Sequence, residues 1–411
     1  MPGVFARLVG QQAVEAELVA AARASRGDSS HSGFAAGGMS HAWLITGPPG
    51  SGRSVAALCF AAALQCSAEE STDFPGCGRC RACTTTLAGT HADLRRVVPE
   101  GLSIGVDEMR AIVQAASRRP GTGRWQIVVV EDADRLTEGA ANALLKVVEE
   151  PPPSTVFLLC APSIDPEDIA VTLRSRCRHV ALVTPPPAAI AQVLIEADGL
   201  DGATAEWAAA VSGGHVGRAR RLATDPQARQ RRQRALAMAR DAATPSRAFS
   251  AADELVAAAE AEAHDLTAER AEVETEELRT ALGAGGTGKG TAGTLRGTAG
   301  MIKDLERRQK SRQTRASRDA LDRALIDLAT YFRDALVVAM TSTSPAAAVR
   351  PNHPDMTDAA AAMAAHASPD RLLRCIEAVL HCRDALAANV KPRFAVGAMV
   401  ATVGQALRAD L

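Results

Sequence analysis

The chain predicts an α/β domain with a mostly parallel sheet, followed by two all-helical regions, and three observations carry that prediction. Four short apolar runs, AWLIT (42–46), QIVVV (126–130), TVFLL (155–159) and HVALV (179–183), are continuous and rich in β-branched residues, as parallel strands buried on both faces should be. Helical patterns alternate with them at VDEMRAIVQAASRRP (106–120) and TEGAANALLKVVEEPPP (137–153). From about residue 186 the strand signal stops, and only helical periodicity continues to Leu411.

Each element has a local reason. Thr137 is a helix N-cap residue type, and the prolines at 151–153 must end the helix that it opens. Residues 186–240 read as a small helical lid, its short helices broken at Gly199, Gly202 and SGGHVG (212–217). Residues 241–411 read as a helical domain, clearest at LDRALIDLATYFRDALVVAM (321–340) and PDRLLRCIEAVLHCRDALAANV (369–390). Inside it, about 260–318 reads as an insertion. GAGGTGKGTAGTLRGTAG (283–300) is too rich in glycine for a packed helix and reads as flexible. It leads into KDLERRQKSRQTRASR (303–318), with seven basic residues against two acidic ones, either a solvated helix face or a contact for nucleic acid or a partner. GTGKGT within the glycine-rich stretch follows no strand, so its likeness to a phosphate loop is dismissed.

Bulk properties narrow the function classes. A length of 411 residues allows two or three domains, and aromatics at only 3% leave cores of Ala, Val and Leu, which favours helices. The formal net charge of -1 gives no general attraction to nucleic acid, so such binding would need a local patch or a partner. No charged-then-apolar leader and no long apolar run stand in the sequence, so no membrane role and a cytoplasmic location are expected. In that reducing setting the nine cysteines point to metal or chemistry rather than a disulfide framework.

The stretch GPPGSGRS, Gly47, Pro48, Pro49, Gly50, Ser51, Gly52, Arg53 and Ser54, follows a strand and opens a helix, VAALCFAAALQC. That is the setting of a phosphate-binding loop for ATP or ADP, in which backbone N–H groups and the helix N-terminus meet phosphates and Ser54 could ligate magnesium. Arg53 stands where such loops carry lysine; its longer planar fork is a poor replacement for a compact charge. The acidic pair of such a site would be Glu131 and Asp132 in EDAD, with Asp134 beside them, but the usual order is Asp then Glu. Both departures argue against hydrolysis in this chain.

Cys66, Cys77, Cys80 and Cys83 have the spacing C-x10-C-x2-C-x2-C. Two nested CxxC steps with a fourth thiol after a helix suit a closed tetrahedral site, so structural zinc is expected; Cys59 and His91 are substitutes for one ligand, and thiol exchange is the rival chemistry.

VGQQ (9–12), HAWLITGPPGSGRS, the four cysteines, VDEMRAIV, VVVEDADRLTEGAANALLKVVEEPPPSTVFLLCAPS and TLRSRCRHV occur in this order. Together they resemble the bacterial clamp-loader subunits of the AAA+ class, above all those of the delta-prime kind, over residues 5–225. The resemblance implies a P-loop AAA+ domain at 1–185 with a zinc module at 66–83, the lid at 186–240 and a helical collar at 241–411. It further implies that Ser175, Arg176 and Cys177 form the motif whose arginine reaches, in trans, the nucleotide of a neighbouring subunit; a guanidinium there offsets transition-state charge. The implied partners are gamma/tau and delta subunits in a hetero-pentamer, with the sliding clamp and primed DNA reached through the complex. Arg218 is a candidate second phosphate arginine from the lid, Leu144, Leu145, Val147 and Val148 are explained as core, and Lys146 carries no assignment. Two rivals are an active gamma/tau-type ATPase and a zinc-dependent nucleic-acid module built on 66–83 and 303–318.

Overall fold

A computed structural model describes residues 3–26, 38–68, 75–282, 295–341 and 349–408. They fall into two compact units, Met1–Ala223 and Thr224–Leu411.

In the first unit five strands, β1 (Ala42–Thr46), β2 (Leu94–Val97), β3 (Gln126–Val130), β4 (Thr155–Ala161) and β5 (Arg178–Ala181), form one sheet in the order β2-β3-β4-β1-β5. Every pairing is parallel. Period-two alternation divides the sheet: Trp43, Ile45, Ile127, Val129, Val156 and Leu158 share one core with Phe60 of helix Arg53–Gln65. Leu44, Val128, Phe157 and Leu159 share the other with Met109 and Leu144, from helices Val106–Ala116 and Glu138–Glu149. Trp43 and Phe60 meet edge to face with ring centroids 4.9 Å apart. Thr137 caps its helix by accepting the Ala140 N–H at 3.3 Å, and the helix ends at Glu149, before the three prolines.

The strand β2 has no counterpart in the sequence reading. Its four residues, LRRV, bury Leu94 and Val97 and expose Arg95 and Arg96, the charged short form that edge strands take. The lid consists of helices Pro187–Glu196, Gly202–Val211 and Val216–Thr224. It stops short of the expected 240: helix Pro226–Asp241, opened by Asp225 and a proline at its first position, packs Leu236 and Ala239 into the core of the second unit.

That second unit is all helical, with Leu321, Leu325, Leu328, Phe332, Leu372, Val379 and Val396 at its centre. Its longest helices, Pro245–Ala281 and Leu295–Thr341, pack on each other. The expected insertion at 260–318 is therefore helical over 260–281 and 295–318, while 283–294 lie outside the described residues. The physical reason is charge complementarity: Arg312 pairs with Glu274, and Gln309 Nε2 donates to the Ala271 carbonyl at 3.0 Å. Arg318 turns the same way, donating to the Leu386 carbonyl at 3.0 Å. Among the described residues no helix is long and apolar enough to cross a membrane.

Candidate functional site

Because β1 and β3 flank β4 in parallel register, the loop after β1 and the acids after β3 emerge at the same end of the sheet, with Cys160 of β4 between them. Parallel sheets bind ligands outside these carboxyl ends. Gly50 and Gly52 take φ values of +87° and +96°, the left-handed region that lets the loop wrap before helix Arg53–Gln65 begins. Gln11 of VGQQ is buried and secures the loop: its Nε2 donates to the Val183 carbonyl at 2.6 Å and to that of Ser51 at 3.3 Å.

Arg53 does not extend outward. Its Nη1 donates to the Gly47 carbonyl at 2.8 Å, committing an arm of the guanidinium to the first carbonyl of its own loop. Ser51 is 4% exposed, and its Oγ has no hydrogen-bond partner among the described residues. Beside them lies a cavity of about 750 Å³, walled by Leu8, Val9, Pro185 and Val193 and by the cations Arg7, Arg53 and Arg220; no carboxylate lines it among the described residues. An apolar wall and a cationic mouth suit a nucleotide base and its phosphates.

The lid contributes His215, Val216, Gly217 and Arg220 to the lining, and Arg218 is not among the lining residues. Arg220, which the sequence reading did not name, lines the cavity, and its Nε donates to Asp198 at 2.6 Å. His215, which the sequence reading also missed, stands against the loop: a Cβ at Gly50 would come within 2.5 Å of the His215 Cβ.

Neither Glu131 nor Asp132 lines the cavity. The Glu131 carboxylate pairs with Arg96 on the edge strand, a contact that no reading without β2 could find. Burial pushes the Asp134 carboxyl above its usual range, and Asp132 adds to the shift while Arg53 opposes it. Burial likewise raises the Cys160 thiol, which feels Arg53 on one side and Glu131, Asp132 and Asp134 on the other.

The four cysteines meet. The Sγ atoms of Cys66, Cys77, Cys80 and Cys83 all lie within 4.8 Å of one another, and those of Cys66 and Cys80 are 3.9 Å apart. A tetrahedron with metal–sulfur bonds of about 2.3 Å has edges of about 3.8 Å, so the cluster is compatible with a metal. Three backbone N–H groups also point at sulfur: Cys77 N at 3.5 Å from Cys66 Sγ, Cys80 N at 3.3 Å from Cys77 Sγ and Cys83 N at 3.4 Å from Cys80 Sγ. Neither substitute ligand joins: Cys59 Sγ donates to the Val4 carbonyl at 3.0 Å, and His91 Nδ1 accepts from Asp93 N at 3.1 Å.

The SRC motif divides between surface and core. Cys177 packs against the core beneath helix Glu138–Glu149, and burial pushes its thiol up to about 12. Arg176 is at the surface, its side chain 39% exposed; Nη2 contacts Glu149 at 2.7 Å, and Nη1 donates to the Thr172 carbonyl at 2.9 Å and to Ser175 Oγ at 3.2 Å. Arg176 precedes the start of β5, whereas the glycine loop follows the end of β1, and the two strands are parallel neighbours. The strand length, about 10 Å, separates the arginine from its own loop.

Residues 29–186 match a family model described as DNA polymerase III, delta subunit. The chain is 39% identical to the DNA polymerase III subunit delta' of Escherichia coli (strain K12) over 37% of its own length and 45% of that protein. It is 37% identical to subunit delta' of Pseudomonas aeruginosa, over 44% of this chain and 55% of that one. It is also 33% identical to subunit gamma/tau of Mycobacterium tuberculosis (strain ATCC 25618 / H37Rv), over 45% of this chain and 30% of that one. The chain thus spans about half the length, or less, of these relatives. By sequence, then, the α/β segment of this chain is similar to DNA polymerase III subunits of both the delta' and the gamma/tau kind.

Proposed function

We propose that the protein is a delta-prime-like stator of the clamp loader of DNA polymerase III, assisting ATP-driven loading of the sliding clamp onto primed DNA. In this reading it joins gamma/tau and delta subunits in a hetero-pentamer and supplies Arg176 to a neighbour's nucleotide. The observation that carries the reading is the separation of Arg176 from its own loop by the length of the sheet. In this reading the guanidinium at that end serves a site on another chain, where it would offset phosphoryl-transfer charge by about 10³ to 10⁵ in rate.

Three further features agree. Arg53 is bonded back to Gly47, Glu131 is paired with Arg96, and neither acid reaches the cavity, so hydrolysis in this chain is absent or weak. Cys66, Cys77, Cys80 and Cys83 would hold zinc with all four positions filled, a structural ion that leaves no place for water. The cationic cavity and the unpartnered Ser51 Oγ support retention of ATP or ADP as a bound ligand, with Ser54 the residue for any magnesium.

The same cavity is what favours the second reading, an active gamma/tau-type ATPase. A nucleic-acid module on 303–318 has less support, since Arg312 and Arg318 are engaged inside the second unit. Turnover separates the first two readings. The purified chain with ATP, magnesium and primed DNA is expected to release no phosphate above background; sustained release would establish the ATPase reading instead.

A further inference from the structure

The second unit holds a groove of about 670 Å³ that the clamp-loader reading does not use. It opens between helix Pro226–Asp241 and helix Thr357–His366, is floored by Tyr331 from helix Leu295–Thr341, and is closed at one side by Leu407 near the end of helix Pro392–Arg408. Met356, Met363, Ala359 and Ala362 supply its accessible apolar surface, whereas Leu236 is core. The size lies within the range of about 300–1,000 Å³ in which proteins hold ligands, and methionine-bearing walls repack readily around a guest.

Charge decides what kind of guest. The only ionisable groups that line the groove, among the described residues, are Arg240, His366 and Tyr331; no carboxylate faces it. Arg240 has a side chain 82% exposed, and its ion pair, to Asp241, is 4.0 Å long, too loose to hold the guanidinium. Asp241 itself is shared with Arg247 at 3.5 Å. The nearby Tyr331 is 4% exposed, so it is a rigid floor rather than a mobile flap.

We infer that this groove receives an amphipathic, acidic segment of a partner protein, laying an apolar helical face on Met356, Ala359 and Met363 with a carboxylate against Arg240. An amphipathic helix seated in a groove between helices is a common mode of recognition, and the loosely paired Arg240, in a groove that no carboxylate lines among the described residues, fixes its sign. The inference concerns residues of the second unit alone, so it stands or falls apart from the proposal for Arg176.

Tyr331 makes the test direct, because it is the chain's one tyrosine. Full-length protein labelled with 3-fluorotyrosine gives a single fluorine resonance from the groove floor. The probes are a designed 16-residue amphipathic helix with Leu on one face and Glu beside it, and its twin with every Glu replaced by Lys. The acidic probe should shift the resonance saturably; the basic twin should bind at least about tenfold more weakly. Arg240→Glu, an exposed substitution outside the core, should invert that preference, and Ala359→Trp should abolish the shift by filling the groove. No saturable shift with the acidic probe, or equal binding by both twins, overturns the inference. So does a resonance that moves with protein concentration alone, which would mark the groove as an interface between copies of this chain.

Discussion

Removing one thiol from the four-cysteine cluster is the perturbation whose cost can be traced furthest. Cys66 and Cys83 are buried in the same core as Val4 and Phe5, and Val4 N donates to the Gly76 carbonyl at 2.9 Å. Gly76 lies at φ +98°, and any Cβ there would strike Val4 at 2.6 Å, so the cysteine loop and the N-terminal segment are held in mutual contact. Zinc bound by four thiolates contributes on the order of 10 kcal/mol to its module, enough that Cys80→Ser should unfold the loop around it. The sheet would survive, losing mainly the burial of Val4 and Phe5, about 1.5–3 kcal/mol each. The sum, about 3–6 kcal/mol, corresponds to a fall in Tm of roughly 10–20 °C for a unit of this size. Metal analysis should find about one zinc per chain in the parent and little in the variant. Hydrogen exchange should accelerate at Val4 and Cys83 but not in β1 or β4. A parent protein with no metal, fully folded and insensitive to chelator, would refute the reasoning.

Asp93 offers a test by pH. Burial pushes its carboxyl up, but the N–H groups of Gly121, Gly123 and Thr122 and the Thr122 hydroxyl outweigh it and hold the group at about 2. The folded value is depressed, so its stabilisation is fully present above the unfolded value of about 3.9 and is lost as pH falls towards 2. Urea titrations between pH 6 and pH 2 should show Asp93→Asn less stable at pH 6, by about 2 kcal/mol, with the gap closing at the acid end; a gap independent of pH would contradict the assignment. At Gly50 an alanine meets the His215 Cβ at 2.5 Å and adds a side chain at φ +87°. Gly50→Ala should therefore weaken fluorescent-ADP binding and lower Tm, and His215→Gly in the same chain should recover part of the binding; no recovery would disconnect His215 from the loop.

Much of the α/β segment was legible because buried parallel strands are continuous apolar runs. AWLIT and QIVVV appear as β1 and β3 with unchanged bounds, since nothing polar interrupts them. By contrast, LRRV carries two arginines on an edge, where burial writes no pattern, and with it the Arg96–Glu131 pair stayed hidden. The cysteines were legible as a metal set because nested CxxC spacing fixes geometry locally, while the fold brings Cys66, rather than Cys59 or His91, to the other three thiols. Arg220 lines the cavity and Arg218 does not, a difference of helix phase that the run SGGHVGRARRL does not display. The packing of the long helices through 260–281 and 295–318, read as an insertion, was hidden for a related reason. Their stabilisation is an acidic face meeting a basic one across 38 residues of sequence, as at Arg312 and Glu274, and each half alone reads as a solvated charge run.

The central claim is that Arg176 acts on a neighbouring chain and not on its own loop. The direct measurement is reconstitution with gamma/tau and delta subunits, comparing DNA-stimulated ATPase and clamp loading for the parent and Arg176→Ala. Among the described residues Arg176 contacts Glu149, Thr172 and Ser175 at the surface, so the substitution should leave the unfolding free energy within about 1 kcal/mol of the parent and assembly unchanged. The facing site should lose about 10³-fold in its own rate, and clamp loading should fall at least about tenfold. Intact complexes that hydrolyse ATP and load clamps at the parent rate without Arg176 would contradict the account.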